Sequence, residues 1–556
     1  MHLGSPSFRE GQDFVARQAD GSAVSAWKAA LAKGPDEGLS AALAERGDFA
    51  VGLQDLDRGA AFVAVDRFAI QTMCYRVQDG QLRFAQRADE LADAATPIDL
   101  QAIFDYLFFH CIPSPRTIYQ GVHRLPPGHC AQFQGGQVRV LPYWRAQFSE
   151  PGGPVSFESL KAEFRGLLKD AVARQLDGTR PACFLSGGTD SSTVAGMIRE
   201  VSGQPAHTYS IGFQAEGYDE MAFARLAARH FGCEHHEYYV TPDDLVRSIA
   251  EVAGSYDQPF GNSSALPAYY CALKARGDGV TRLLAGDGGD ELFGGNSRYA
   301  KQSVFGWYQR IPAALRRAVL EPVFGSATVA RMPLLKKGRS YVEQATVPMP
   351  DRLQMYNLLL RLGPSTVLTP EYLARINVDG PAQHQRQVWE QADTESELNR
   401  TLAFDWRYTL AESDLPKVRG STQLAGVSVG YPMLDQGLLD FSLRLPERYK
   451  LKGLRLRWFF KEALRGFLPD EILTKKKQGF GLPFGVWMTR HDALRRLAAD
   501  SLGSLSTRGI VRPDFIRELL ESRIHEHPGY FGEMVWILMM LEQWLQRHAP
   551  RLRVDD

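Results

Sequence analysis

Between residues 48 and 145, short apolar runs alternate with turn-forming residues. The runs are Phe49-Ala-Val-Gly-Leu53, Ala61-Phe-Val-Ala-Val65, Leu82-Arg-Phe84 and the stretch from Cys130 to Val140. Asp57-Arg58-Gly59, Asp79-Gly80 and Gly135-Gly136 lie between or within them, and such glycine-containing pairs suit hairpin connections. Pro126-Pro127-Gly128 adds another turn. The pattern predicts a β-rich layer with one helical insertion over 100–109. Pro151-Gly-Gly-Pro154 then reads as a linker.

From Ser156 the period changes. Residues 159–176 space their apolar side chains as a helix does, and 182–185 read as a short buried strand. Helices at 193–201, 221–231 and 266–276 then alternate with strands at 206–212, 236–240 and 282–285. That order predicts a parallel α/β sheet. Beyond about Pro312 the pattern is mostly helical. The expected domains are 1–150, β-rich, and 155–556, α/β with a helical end.

Composition narrows the functional classes. The 556 residues suit two to four domains. With 64 basic and 64 acidic side chains the net charge is zero, which disfavours a partner such as nucleic acid. The six cysteines, at 74, 111, 130, 183, 233 and 271, fall singly, a poor spacing for a structural zinc site or a disulfide framework. Met1 to Phe14 lacks the apolar core of a signal peptide, and Val535 to Leu541 is too short to span a bilayer. The expectation is a cytoplasmic protein with no membrane or nucleic-acid partner.

The most informative segment is Phe184-Leu-Ser-Gly-Gly-Thr-Asp-Ser-Ser192, where a buried strand runs into two glycines and then a helix. Free backbone N–H groups, serine hydroxyls and a helix N-terminus favour a phosphate or pyrophosphate there. Asp190 inside such a cradle needs a cation, assigned to Mg²⁺. No lysine completes a Walker loop, and the plainer alternative is an ordinary glycine-rich turn. A partner motif, Leu283-Leu-Ala-Gly-Asp-Gly-Gly-Asp-Glu-Leu-Phe-Gly-Gly295, brings Asp287, Asp290 and Glu291, suited to Mg²⁺ ligation and general-base work. Its plainer alternative is a solvated acidic loop. His235-His236 shows no matching ligands in sequence and reads as an ordinary histidine pair.

With Tyr209-Ser-Ile-Gly-Phe213, Tyr256-Asp-Gln-Pro259, Tyr431-Pro-Met-Leu-Asp435 and Lys475-Lys-Lys-Gln-Gly-Phe-Gly-Leu-Pro483, these motifs resemble the asparagine synthetase family of ATP-pyrophosphatases. The resemblance implies a truncated Ntn-hydrolase-like N-terminal domain, followed by a PP-loop α-hydrolase-like parallel-sheet domain. It implies that ATP lies between the two loops, with Leu185, Ile211 and Gly286 on the adenosine and Ser186, Gly187, Gly188 and Ser191 on the phosphates. Asp190 and Asp290 would bind Mg²⁺. A substrate carboxylate would be adenylated and passed to ammonia or another amine. Two catalytic positions follow: Asp287, where many members carry Glu, and Arg457, which aligns with the family's catalytic lysine. A surface cation on a helix is the plainer reading of Arg457. Lys461 is expected to compensate in part, and Lys475–Lys477 to help hold pyrophosphate.

Other departures shape the expectation. The family's glutaminase opens on Cys after the initiator Met, whereas His2 stands here and the first cysteine is Cys74. The segment before Gly47 is also too short for the family's glutamine-binding motifs, so no glutaminase activity is expected. The family's E-x-R-x-P-x-L-D reads Ser428-Val-Gly-Tyr-Pro-Met-Leu-Asp435, and its K-V-D-R reads Lys417-Val-Arg-Gly420. The partners expected are a small-molecule or peptide carboxylate, an amine donor and a second copy of the chain. Alternatives are a cyclase resembling lasso-peptide cyclases and β-lactam synthetases, or an ATP-binding scaffold. A tRNA-thiolating PP-loop enzyme fits poorly, for want of paired cysteines and a basic surface.

Overall fold

The computed structural model describes residues 1–4, 7–10, 13–16, 25, 27–29, 31–32, 35–153, 155–309, 311–316, 341–476 and 481–554. Its N-terminal part is built of antiparallel strands: β1 (His2–Gly4), β2 (Ser7–Glu10), β3 (Asp13–Ala16), β4 (Phe49–Asp55), β5 (Ala60–Val65), β6 (Cys74–Gln78), β7 (Gln81–Ala85), β8 (His123–Arg124), β9 (His129–Gln134) and β10 (Gln137–Pro142). One sheet has the order β1-β4-β5-β9-β10 and a second the order β7-β6-β8, while β2 and β3 pair as a hairpin. Strand alternation sets the faces. Phe49, Val51 and Leu53 pack with Trp27 and Phe62, and Ala50 faces Tyr75 and Leu82 of the second sheet. At Gly52 the sheets come so close that a Cβ would strike the Phe84 ring.

Three of the four predicted turns join paired strands as expected, and the stretch 130–140 proves to be two strands folded back at Gly135-Gly136. The inserted helix spans Leu100–Phe109, with Asp99 accepting a hydrogen bond from the Gln101 N–H as its N-cap. Every residue from Ala102 to Phe108 is buried. A helix apolar on all sides needs cover all round. It finds part of that cover in the C-terminal helix Pro528–His548, where the Tyr106 hydroxyl donates to the Ile537 carbonyl at 2.8 Å.

The second part is organised by β11 (Ala182–Phe184), β12 (His207–Phe213), β13 (Glu234–Val240), β14 (Arg282–Leu284) and β15 (Ser428–Gly430). They form a parallel sheet of order β13-β12-β11-β14-β15. Two separate apolar clusters cover it, so both faces are buried as a parallel sheet requires. The chain steps outward from β11 to β12 and β13, then returns to β14 on the other side. Ligands in such sheets sit beyond the carboxyl ends of the strands at that switch point. β15 and the helix Pro242–Ser255 are additions to the predicted elements. A three-residue Ser-Val-Gly strand is too short to show any period. A last small hairpin, β16 (Leu451–Lys452) with β17 (Arg455–Leu456), presents Arg457.

Candidate functional site

β11 ends at Phe184 and the helix Thr189–Ser202 begins with Gly188 as N-cap, without a side-chain cap. The loop between them is braced by hydroxyls. Ser191 Oγ accepts from the Ser186 N–H at 3.1 Å and lies 2.9 Å from Ser186 Oγ, and the Gly188 N–H donates to Ser186 Oγ at 3.3 Å. The uncapped helix start leaves backbone donors for an anion. β14 leads into the second loop, which touches the first: a Cβ at Gly286 would stand 2.8 Å from the Ser191 amide nitrogen. No side chain fits there, so backbone meets backbone.

Between the loops lies a cavity of about 650 Å³. Leu185, Ser186, Gly188, Asp190, Ser191, Ile211, Gly286, Asp287, Asp290 and Arg457 all line it. Gly187 does not. Its φ of +70° suits glycine, and a Cβ would strike the backbone of Phe223 and Ala224. Its missing Cβ allows the tight seat of the helix Met221–Phe231 against the loop.

Arg457 is 6% exposed, and it is no surface cation. It occupies a left-handed conformation (φ 52°) at the start of the short helix Trp458–Ala463, with its N–H donating to Gly294 O at 3.2 Å. Its guanidinium donates to both oxygens of Asp190, at 2.6 and 2.7 Å, and pairs with Asp290 as well. The cation that Asp190 requires is therefore, in this structure, an arginine fork. Two carboxylates from different loops converge on one positive charge, and such a donor pair also fits Mg²⁺. Arg457 and the metal would compete for the same oxygens.

A second ion cluster also lines the cavity. Lys417 Nζ stands 2.9 Å from Asp414 and 3.6 Å from Asp287. Burial raises the Asp287 carboxyl above the usual range, and Lys417 counteracts it in part. Burial opposes the charge on Lys417, but Asp414 and Asp287 outweigh it and raise that pKa. Asp414 arrives at the end of a nine-residue π-helix, Trp406–Asp414, an irregularity often found at functional sites. Lys461 also lines the cavity, its pKa lowered by burial and by Arg457. Lys475 and Lys476 reach it too, and Lys475 pairs with Glu220 at 2.7 Å. Lys477 lies outside the described residues.

Some expected acceptor positions point elsewhere. Ser428 is exposed at the start of β15 and donates to Thr281 O at 3.1 Å, and Gly430 is buried against Gln175 and Arg282. Arg419 turns toward the N-terminal sheets, donating to Ile70 O at 2.5 Å. Of this stretch, Asp414, Lys417 and Val418 face the cavity. Asp414 and Glu220 went unread in the sequence, because an isolated acid carries no signal until its lysine partner is placed.

Comparison with known proteins identifies the family. A family model described as asparagine synthase matches residues 163–546, and one described as a glutamine amidotransferase domain matches residues 31–144. Asparagine synthetase [glutamine-hydrolyzing] 1 of Bacillus subtilis is 25% identical over 509 residues, covering 90% of this chain and 77% of that protein. A putative asparagine synthetase of Methanocaldococcus jannaschii is 31% identical over 271 residues, 47% of this chain and 52% of its own. The amidase chyE of Penicillium rubens is 24% identical over 502 residues, 81% of this chain and 71% of its own. The chain belongs to the asparagine synthase family and is an enzyme of that carbon–nitrogen ligase type.

Proposed function

We propose that this enzyme uses ATP to adenylate a carboxylate and transfers the acyl group to ammonia or another amine, releasing AMP and pyrophosphate. The observation that carries it is the shared cavity: a serine–glycine loop at a helix N-terminus, two acidic loop positions and Arg457 meet across about 650 Å³. In the first step a carboxylate oxygen bonds to the α-phosphorus as the bond to pyrophosphate breaks. The loop N–H groups and Ser186 hold the phosphates, while Arg457, Lys475 and Lys476 meet the charge of the leaving pyrophosphate. Magnesium, held by Asp190 and Asp290, would supply further neutralisation of phosphate charge. In the second step the amine bonds to the acyl carbon, AMP leaves, and Asp287 accepts the amine proton. The raised pKa of Asp287 suits a base.

The amine is proposed to come from free or delivered ammonia, or from a second amine substrate, rather than from this chain's own glutamine hydrolysis. Cys74, Cys111 and Cys130 in the amidotransferase-like part are all buried. Burial raises each thiol, Cys111 and Cys130 to about 12, so none is a ready thiolate nucleophile. Glutamate release from glutamine by the purified protein would overturn this.

The acceptor is proposed to be a specialised acid rather than aspartate, because the two charged acceptor positions of the family are Ser428 and Gly430 and neither lines the cavity. ATP–pyrophosphate exchange across aspartate, other acids and short peptides tests the whole reading. Exchange with aspartate followed by ammonia-dependent asparagine formation would refute the specialised acid. No exchange with any carboxylate would refute the ligase reading in favour of a scaffold.

A further inference from the structure

β12 and β13 run parallel with His207 opposite Glu234 and Tyr209 opposite His236. Alternation puts these four side chains on one face, and the Tyr209 and His236 rings stack 4.7 Å apart. At the amino ends of the strands, His207 Nδ1 stands 3.4 Å and His236 Nε2 stands 3.5 Å from the same oxygen, Glu234 Oε1. One ligand atom from each of the three residues lies within 4.8 Å of the others. Both nitrogens are buried and neither makes a hydrogen bond. Buried ring nitrogens aimed at one carboxylate oxygen without a hydrogen bond need another partner. Ligand bonds of 2.0–2.2 Å around a tetrahedral ion put neighbouring ligand atoms about 3.4 Å apart, which matches both nitrogen–oxygen spacings.

A fourth residue completes the pattern. Asp278, just beyond the helix Ala265–Gly277, places Oδ2 3.3 Å from His236 Nδ1, at ion-pair distance though not in hydrogen-bond geometry. A carboxylate on the outer nitrogen of a histidine fixes its tautomer and turns the inner nitrogen toward a metal. The Glu234 side chain is 59% exposed, so an ion can enter from solvent.

We propose that His207, Glu234 and His236 bind one divalent transition-metal ion, zinc by the chemistry of two imidazoles and a carboxylate, with Asp278 orienting His236 and the fourth position open to water. This site is distinct from the nucleotide cavity. None of His207, Glu234, His236 and Asp278 lines that cavity, although Tyr209, whose ring stacks on His236, reaches its wall two residues, about 7 Å, along β12. The ion would clip β13, the edge strand, to β12, whose far half carries Ser210 and Ile211 of the cavity wall.

The test uses the full chain stripped of metal by chelation and held in saturating Mg²⁺, which occupies oxygen-donor sites. Co²⁺ titration should give an intense tetrahedral visible band at one ion per chain, displaced by Zn²⁺. His207→Gln and His236→Gln should each abolish the band, and Glu234→Gln provides the same test at an exposed position if either fails to fold by circular dichroism. Asp278→Asn, which leaves every ligand atom in place, should weaken Zn²⁺ binding about 10- to 100-fold. His235→Gln, on the opposite face of β13, should change nothing. No tetrahedral band with the parent protein, or a band that survives the histidine and glutamate substitutions, would overturn the proposal.

Discussion

Replacing Arg457 with methionine exposes the competition between a side chain and a metal for two carboxylates. In the structure the guanidinium donates twice to Asp190, at 2.6 and 2.7 Å, and also pairs with Asp290. A hydrogen bond to a charged group contributes about 1.5–3 kcal/mol net. Magnesium entering without nucleotide must break at least one such bond. Removing Arg457 should therefore tighten Mg²⁺ binding roughly ten- to a hundred-fold, at about 1.4 kcal/mol per factor of ten. Stability without metal should move the other way. The Asp190 and Asp290 side chains are only 17% and 18% exposed, and stripping one partner from a buried ion pair costs about 3–5 kcal/mol. Calorimetric titration with Mg²⁺ in the absence of ATP reads the first effect. Thermal unfolding with and without Mg²⁺ reads the second, and the variant should recover more stability from the metal than the parent does. Unchanged or weaker Mg²⁺ binding by Arg457→Met would refute the reasoning.

Three further outcomes are expected. Lys417→Gln removes the charge that partly offsets the burial of Asp287, so the acidic limb of the kcat profile should move to higher pH, and an unmoved limb would show that Asp287 is not the titrating base. Gly286→Ala drives a Cβ to 2.8 Å from the Ser191 nitrogen and 3.1 Å from the Asp190 carbonyl carbon, so ATP affinity should fall at least about tenfold, a loss of about 1.4 kcal/mol, by equilibrium binding. Lys450 is 1% exposed and burial lowers its pKa from 10.5 to about 7. Between those pH values the unfolded chain binds more protons than the folded one, so parent stability should rise with pH across that window. Lys450→Met should flatten that rise in urea unfolding and be most stabilising at and below pH 7, despite losing the 2.9 Å bond to Asn399; parallel curves would refute it.

The strands and loops that form the shared cavity were legible because each joins a local pattern to glycines of fixed purpose. Phe184 to Ser192 and Leu283 to Gly295 show their strand, turn and helix start within a dozen residues. Gly187 and Gly188 look alike in sequence, yet the missing Cβ serves a different neighbour at each: at Gly187 it makes room for the helix Met221–Phe231, while Gly188 lines the cavity. Arg457 was placed at the site, but its hold on Asp190 spans 267 residues and no local pattern encodes it. The pairing of Lys417 with Asp287, and the meeting of His207 with His236, depend in the same way on neighbouring strands or on helices far apart in the chain. β15 carried no signal because three residues have no period.

The helix Leu100–Phe109 gives the N-terminal part a hold on the chain that chemistry does not explain. It lies between the antiparallel sheets and the helix Pro528–His548, and Tyr106 reaches across 431 positions to Ile537. Whatever its nitrogen source, a gene that dropped this segment would leave the ligase with an open wound of apolar surface. Packing alone therefore ties this part to the ligase core, independently of any chemistry it performs.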